Sequence, residues 1–272
     1  MHYEHAIKRV MAWVGLALLF NLGVLYFLGP QKALEFFTGY LVEYTLSVDN
    51  LFVFIMIFEF FGLTEKQQHK VLNWGIVGAV VFRMLFVVFG ITLIHKFHVI
   101  IYFFGALLLW SAYKMAFHKE RKVNPDKTLL VRWCRKIIPV TGDYDDDKFF
   151  LKTAAGLSAT PLFVVVLVVE SSDIMFAIDS IPAILAITQH PFIVITSNIF
   201  AVLGLRSLYF VIAGVMPLFR FLKPGVAVIL AFVGAKMLLM DVVDIPTMYS
   251  LLFIVAILAS SILTSRFIKE KA

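Results

Sequence analysis

The chain has 272 residues, of which 61% are hydrophobic and 15% are charged. Soluble globular domains usually carry about 25% charged residues, so this chain has too many apolar side chains for a soluble core. Its single cysteine, Cys134, excludes a disulfide framework and a cysteine-based zinc site within these residues. The composition therefore indicates an integral membrane protein and not a soluble enzyme.

Long apolar stretches define the class of fold. A helix needs about 20 mainly apolar residues to cross the hydrocarbon core of a bilayer. We therefore predict an all-α, polytopic helical membrane protein with about eight transmembrane helices in a single membrane domain, residues 1–272. The predicted spans are 10–28, 36–61, 71–94, 99–117, 156–187, 192–215, 225–240 and 247–265.

The basic residues predict how the chain is oriented. Eight spans place both termini on one side of the membrane. With this topology, eighteen Lys and Arg residues lie on the side of the termini, two on the opposite side and four within spans. Because cytoplasmic loops carry the excess of Lys and Arg, both termini are predicted to be cytoplasmic. The net charge of +6 needs no nucleic-acid partner, since the basic residues flank spans and would meet anionic lipid.

The two sides of the polar stretch 118–152 resemble each other. Segments 43–50 and 173–180 each contain an acid, five intervening residues, an Asp and a small polar residue. Arg83 and Arg206 follow in the next span of each half. Matching polar features in the same order predict an internal repeat.

Each repeat would contain three spans, and an odd number turns the second copy upside down in the membrane. Inverted repeats are a recurring transporter architecture in which the substrate site lies at the repeat interface near the bilayer midplane. The predicted organisation is a first repeat over 35–117, a cytoplasmic loop over 118–152, a second repeat over 153–240, and peripheral helices over 1–30 and 246–268.

Five carboxylates lie inside the apolar spans. A charged residue at the bilayer centre costs about 2.5–3.5 kcal/mol even on lenient scales, so these groups must face one another, a cation or water. Arg83 and Arg206 can act as counter-charges in structural ion pairs, but two arginines cannot neutralise five acids. Protons or a bound divalent cation would neutralise the remainder. The five acids are Glu43, Asp49, Glu170, Asp173 and Asp179.

These residue types favour a hard cation. Carboxylates, the Asn50 amide and nearby hydroxyls are hard oxygen donors, which suit Mg²⁺, Ca²⁺ or Mn²⁺. The predicted metal site therefore consists of the five acids and Asn50. Additional oxygens are expected from among Ser47, Ser171, Ser172 and Ser180.

Helix geometry limits how the acids can converge. Residues 170 and 173 share one helix face, whereas residues six apart, such as 43 and 49, do not. Either two helices cross with acids from both, or a helix unwinds locally. Pro182 favours unwinding because it removes the hydrogen bond to the carbonyl of Ile178, although it could also only kink the helix.

The acidic motifs resemble those of the TerC family. They read Glu43-Tyr-Thr-Leu-Ser-Val-Asp-Asn-Leu-Phe-Val-Phe and Glu170-Ser-Ser-Asp-Ile-Met-Phe-Ala-Ile-Asp-Ser-Ile-Pro-Ala-Ile, and the resemblance extends from about residue 10 to residue 265. The family is named for tellurite resistance, and its members are associated with manganese efflux in bacteria. The resemblance implies metal-path roles for the five acids, Mn²⁺ as the exported substrate and a bacterial plasma (inner) membrane location.

The sequence contains no nucleotide-binding motif, so a secondary transport mechanism, driven by an ion gradient, is implied. Moving a divalent cation out against an inside-negative potential costs about 4.6 kcal/mol per 100 mV. Exchange for protons at the same carboxylates is the simplest coupling, and no tightly bound cofactor is expected.

Two alternatives stay open on the residues alone. One is a transporter of a different substrate, such as another cation or a basic amino acid. The other is a membrane scaffold that binds a partner in metal or envelope homeostasis, in which the buried acids matter only for folding. The acidic run 143–147 is predicted to be a solvated turn, with a weak metal-collecting site as the alternative.

Overall fold

The structure is a computed structural model. Within the residues it describes, the chain forms nine helices and one two-stranded hairpin. Those residues are 2–117, 131, 136, 139–141, 147–153, 156–215, 221–243 and 245–267. The helices are α1 (His2–Leu28), α2 (Pro30–Phe60), α3 (Glu65–Lys96), α4 (Val99–Phe117), α5 (Pro161–Leu185), α6 (Pro191–Leu203), α7 (Leu205–Val215), α8 (Leu222–Leu238) and α9 (Thr247–Phe267). The strands are β1 (Phe150–Thr153) and β2 (Gly156–Ala159).

The helix lengths confirm an all-α polytopic membrane protein. Six of the described helices are long and apolar enough to cross a membrane, namely α1 to α5 and α9. The bent pair of α6 and α7 would make a seventh span. Helix α8 coincides with the predicted span 225–240 but has only 17 residues, fewer than the roughly 20 needed for a perpendicular crossing. The count of eight therefore stays a prediction.

Local sequence explains where the first long helices begin. Gly29 separates α1 from α2 with φ of 86°, a left-handed conformation that glycine adopts without steric cost. Pro30 then starts α2, where its missing N–H is not needed. Helix α3 begins after a capping box in which Thr64 and Gln67 exchange backbone and side-chain hydrogen bonds.

The predicted span 192–215 is broken into two helices. Helices α6 and α7 meet at Gly204 with a bend of 44°. Glycine has a low helix propensity and is a common site of sharp kinks. The break places Arg206 at the start of α7.

The predicted span 156–187 is wrong at its beginning. Residues Gly156–Ala159 pair as an antiparallel strand with Phe150–Thr153, and α5 starts only at Pro161. A short apolar run does not distinguish a strand from a helix end, and Gly156 has φ of 108°, which disfavours helix. Beside the hairpin, Asp147 pairs with Lys66 at 3.6 Å and Lys70 at 3.9 Å. Residues 143–146 of the acidic run lie outside the described residues.

Of the alternatives left open at Pro182, local unwinding is excluded. Helix α5 is continuous from Pro161 to Leu185, with Pro182 inside its last turn. A proline so close to the end removes one hydrogen bond without interrupting the helix further along.

The helices of the two halves pack across each other. Helix α2 packs on α5 and α6, α3 packs on the same two helices, and α4 packs on α8. Helix α1 lies on α2 and α7, and α9 lies mainly on α8. Exposed Leu, Val and Phe side chains cover the outer faces of α1, α3 and α4, as lipid contact requires. The domain limits and the inverted repeat stay predictions.

Candidate cation site

One arginine joins four helices at the centre of the bundle. Arg83 on α3 is 2% exposed and forms ion pairs with Glu43 on α2 and with Asp173 on α5, the latter at 3.3 Å from Nη2 to Oδ1. Its Nη1 also donates to the Oδ1 of Asn198 on α6, 3.2 Å away. The acids from both predicted repeats therefore converge on a single guanidinium.

Burial makes these contacts energetically important. Glu43 is 0% exposed and Asp173 is 3% exposed, so both carboxylates lie in a low-dielectric environment where an unpaired charge is strongly unfavourable. Ser47 donates to the Oε1 of Glu43 at 3.5 Å. Among the described residues, Glu43 Oε2 and Asp173 Oδ2 have no hydrogen-bond partner. Each acid thus keeps one oxygen that can accept a proton or bind a cation.

Glu170 adds a third buried carboxylate on the same face of α5. It lies one turn before Asp173, and its Oε2 has no hydrogen-bond partner in the described part of the chain. The carboxylate rests over Gly78 of α3, where an added Cβ would overlap it. The absence of a side chain at Gly78 therefore makes room for Glu170.

Glu43, Arg83, Glu170 and Asp173 are called the Arg83 cluster below. If all four side chains are ionised, the three carboxylates carry three negative charges against the single positive charge of Arg83, and two negative charges remain without compensation. Such an excess is costly in a membrane interior. It matches the charge of one divalent cation or two protons.

The cluster is not arranged as a closed metal cage. In the described ranges, no three His, Cys, Asp or Glu side chains are grouped so that they could hold a metal ion. The guanidinium of Arg83 bridges Glu43 and Asp173 and occupies the position between them. A cation can bind both acids only if Arg83 moves aside.

Asp179 lies at a second polar position on α5. It is half-buried and accepts a hydrogen bond from Ser111 Oγ of α4 at 2.6 Å. Lys114, one turn along α4 from Ser111, attracts it electrostatically. Six residues of α-helix place Asp179 about 9 Å along the axis from Asp173.

The remaining candidate oxygens are spread along α2 and α5. Asp49 is half-buried and Asn50 is buried, about two turns beyond Glu43 on α2. Ser171 and Ser172 donate to carbonyls of their own helix. Ser180 is buried, and its Oγ has no hydrogen-bond partner among the residues described.

Arg206, the other predicted counter-charge, lies away from the cluster. Its Nη1 donates to Asn73 Oδ1 at 2.6 Å, and its Nε and Nη2 lie 3.4 and 3.1 Å from His69 Nδ1. Both partners are on the first turns of α3. The structure therefore gives Arg83 and Arg206 different surroundings although the sequence gives them matching positions.

Comparison with known proteins identifies the family. The sequence model of the integral membrane protein TerC family matches residues 28–272. The chain belongs to this TerC family.

Relatives of this TerC family protein come from bacteria and plants. It is 44% identical over 263 residues to the uncharacterized membrane protein STKORF319 of Myxococcus xanthus, covering 97% of this chain and 82% of that protein. It is 43% identical over 279 residues to the putative membrane-bound redox modulator Alx of Escherichia coli (strain K12), covering 100% of this chain and 87% of that protein.

A plant relative is longer. The thylakoid membrane protein TERC of Arabidopsis thaliana is 45% identical over 237 residues, which cover 87% of this chain and 62% of the plant protein. No solved structure matches the chain.

Sequence reasoning on this TerC family chain missed three contributors to the polar sites. Asn198 and Ser111 are uncharged, so they did not stand out among the acids, although Asn198 is a polar amide within the apolar span 192–215. Gly78 carries no chemical signal of its own. Its role follows only from the approach of α5.

Proposed function

We propose that this TerC family protein is a secondary transporter that exports divalent metal cations, with Mn²⁺ as its substrate. The observation that carries the proposal is the buried Arg83 cluster, in which one guanidinium pairs with Glu43 and Asp173 while Glu170 is buried nearby without a hydrogen-bond partner on its Oε2. Manganese is the substrate that the family resemblance implies, and hard oxygen ligands suit it.

The cluster supplies a way to bind and release the cation. The free oxygens of Glu43, Glu170 and Asp173 are the first ligands, with Asp179, Asp49 and Asn50 further along the path. Arg83 acts as a tethered cation that competes with the substrate for Glu43 and Asp173. When the metal binds, the guanidinium swings away, and when the metal leaves, it returns and prevents unpaired charges in the bilayer interior.

The packing supports an inverted repeat around this cluster. The contacts of α2 with α6 have a counterpart in those of α3 with α5, as expected if the two halves are related by a two-fold axis. The third helices, α4 and α8, approach reciprocally at Gly105 and Gly234. A Cβ on either glycine would lie within 3.0 Å of the carbonyl oxygen of the other. In such architectures the substrate site lies at the repeat interface.

Protons are the proposed counter-ions. Crowded buried carboxylates bind protons and metal competitively because either ligand removes the same unfavourable negative charge. If two protons enter for each Mn²⁺ that leaves, the two excess negative charges of the cluster are neutralised both in the metal-bound state and in the protonated state. The proposed location is a bacterial inner membrane, and the positive-inside bias supports an orientation with both termini on its cytoplasmic side.

The name of the Alx relatives raises redox modulation as a different function. This chain contains one cysteine, Cys134, so a dithiol–disulfide couple cannot form within it. Disulfide exchange also gives no reason for burying three carboxylates among apolar helices. These carboxylates are accounted for by cation transport.

The test is Mn²⁺ uptake by proteoliposomes that contain the purified protein. We expect uptake that rises when a pH gradient drives protons in the opposite direction and that Mg²⁺ and Zn²⁺ inhibit weakly. If the rate of uptake does not depend on the pH gradient, proton coupling is contradicted but the transport of Mn²⁺ is not. No uptake from correctly inserted protein, with or without the gradient, would contradict the transport function and favour the scaffold.

A further inference from the structure

A second polar site lies at one end of the bundle, apart from the Arg83 cluster. A cleft of about 500 Å³ opens between α1, the first turns of α3, and the junction of α6 and α7. Its lining includes two arginines, two histidines, one acid and two large aromatic side chains. The proposed transport path uses none of these residues.

Arg206 is held in this cleft by hydrogen bonds to two side chains of α3. Its guanidinium donates to two neutral acceptors, Asn73 Oδ1 and His69 Nδ1, and forms no ion pair with a carboxylate among the described residues. His69 is itself fixed by its ring contact with Phe210, at 4.1 Å between centroids. The Arg206 side chain is thus held in position without a neutralising carboxylate, so its positive charge can bind an anion.

Arg9 gives the cleft a second guanidinium. It is exposed and lines the same cavity from α1, again without an ion pair within the described ranges. Among the residues whose side chains the structure describes, the only acid in the lining is Glu65, which is largely exposed and whose Oε1 lies 3.9 Å from His69 Nε2. The lining therefore keeps a positive balance that favours an anionic ligand and disfavours a metal ion.

The other walls of the cleft are apolar. Trp13 and Phe210 line it together with aliphatic side chains. The aliphatic side chains are those of Ala6, Ile76 and Leu203. A ligand that combines an anionic head with a long apolar tail suits this arrangement.

We propose that the cleft is a binding site for the phosphate group of an anionic membrane phospholipid. Arg206 and Arg9 contact the phosphate, because guanidinium forks match phosphate oxygens in charge and geometry. The acyl chains lie along the apolar faces of α1 and α3. Bound in this way, the lipid clamps the peripheral helix α1 to the start of α3 and to α7. The site does not depend on the transport proposal.

Lipid binding to the full-length protein in detergent tests this site. Native mass spectrometry would measure the dissociation constant for phosphatidylglycerol, with phosphatidylcholine and inorganic phosphate as comparators. The variants are Arg206→Gln and Arg9→Gln. Lys8→Gln is the matched control, since it removes the same charge from the neighbouring exposed position on α1 without lining the cleft.

We expect phosphatidylglycerol to bind the native protein more tightly than phosphatidylcholine, and each arginine variant to weaken binding by about tenfold or more. Lys8→Gln should bind as the native protein does. Arg206→Lys should recover part of the affinity, which separates charge recognition from a loss of folding.

Three results would overturn the proposal. If Arg206→Gln, Arg9→Gln and Lys8→Gln bind phosphatidylglycerol with equal affinity, the binding is non-specific attraction to the basic surface. Equal binding of phosphatidylcholine would exclude recognition of an anionic lipid. Inorganic phosphate that competes at the same concentration as phosphatidylglycerol would assign the cleft to a free phosphate anion and overturn the lipid assignment.

Discussion

The carboxylate of Glu170 lies directly against the backbone of Gly78, at a point where α3 presents no side chain to α5. This close approach lets a third acid enter the interior near Asp173, with which it interacts electrostatically. Without it, the cluster would hold only two carboxylates, and one guanidinium would leave a single negative charge. The excess of two negative charges in the Arg83 cluster, which equals the charge of one divalent cation, therefore depends on the absence of a side chain at Gly78.

Replacing Gly78 with Ala should impair transport. The added methyl group would overlap the Glu170 carboxylate and push it out of the cluster, so we expect Mn²⁺ uptake to fall several-fold. Gly15→Ala is the control, because Gly15 on α1 has no atom within 4 Å of an added Cβ. A Gly78→Ala protein that transports at the native rate would show that the position of Glu170 is unimportant.

Removing Arg83 should destabilise the protein strongly. Arg83→Met leaves Glu43 and Asp173 buried without their counter-charge, and breaking a buried ion pair in this way costs about 3–5 kcal/mol. Thermal unfolding of the purified protein in detergent would measure the loss. The double variant Arg83→Met/Glu43→Gln should be more stable than the single variant, since it also removes one of the stranded charges. Equal stability of the native and Arg83→Met proteins would contradict the pairing.

The sequence predicted the helical membrane fold because apolar runs and the distribution of Lys and Arg report directly on the bilayer. It also selected the acids of the Arg83 cluster, since charge within an apolar run is easily recognised. It could not choose which arginine neutralises them. Arg83 and Arg206 occupy matching positions, and only packing places one beside Asp173 and the other beside His69.

Backbone breaks were equally beyond the reach of composition. The bend at Gly204 and the strand at Gly156–Ala159 lie within mainly apolar stretches whose average hydropathy still suits a membrane helix. At Pro182 the sequence left local unwinding and a kink open, and the structure shows the proline within the last turn of a continuous α5. The consequence of a proline or glycine depends on how far it lies from a helix end, which composition does not give.

The hydrogen bond between Ser111 and Asp179 should tune the rate of transport. Ser111→Ala leaves the half-buried Asp179 carboxylate without this donor, and a hydrogen bond to a charged group contributes about 1.5–3 kcal/mol. We expect slower Mn²⁺ uptake with unchanged Mn²⁺ binding to the Arg83 cluster. Ser260→Ala, at an exposed position on α9, is the control. A parallel loss of binding would place Asp179 in the primary site.

The crossing of α4 and α8 should tolerate no side chain. A Cβ at Gly234 would lie 2.9 Å from the backbone oxygen of Gly105, so Gly234→Ala must separate the two helices. Overpacking of this kind costs about 1–3 kcal/mol and would appear as a lower unfolding temperature in detergent. Gly23→Ala, with nothing within 4 Å of its Cβ, should leave that temperature unchanged. If the two variants unfold at the same temperature, the contact is not a tight one.

The most direct test of the cation site compares Mn²⁺ uptake by proteoliposomes containing the native protein, Asp173→Asn or Glu59→Gln. Both substitutions remove one carboxylate charge, but Asp173 lies in the buried cluster whereas Glu59 is exposed at the end of α2. We expect Asp173→Asn to lose at least about tenfold in uptake, as removal of a charged ligand predicts, and Glu59→Gln to keep the native rate. Native uptake by a folded Asp173→Asn protein would contradict the account.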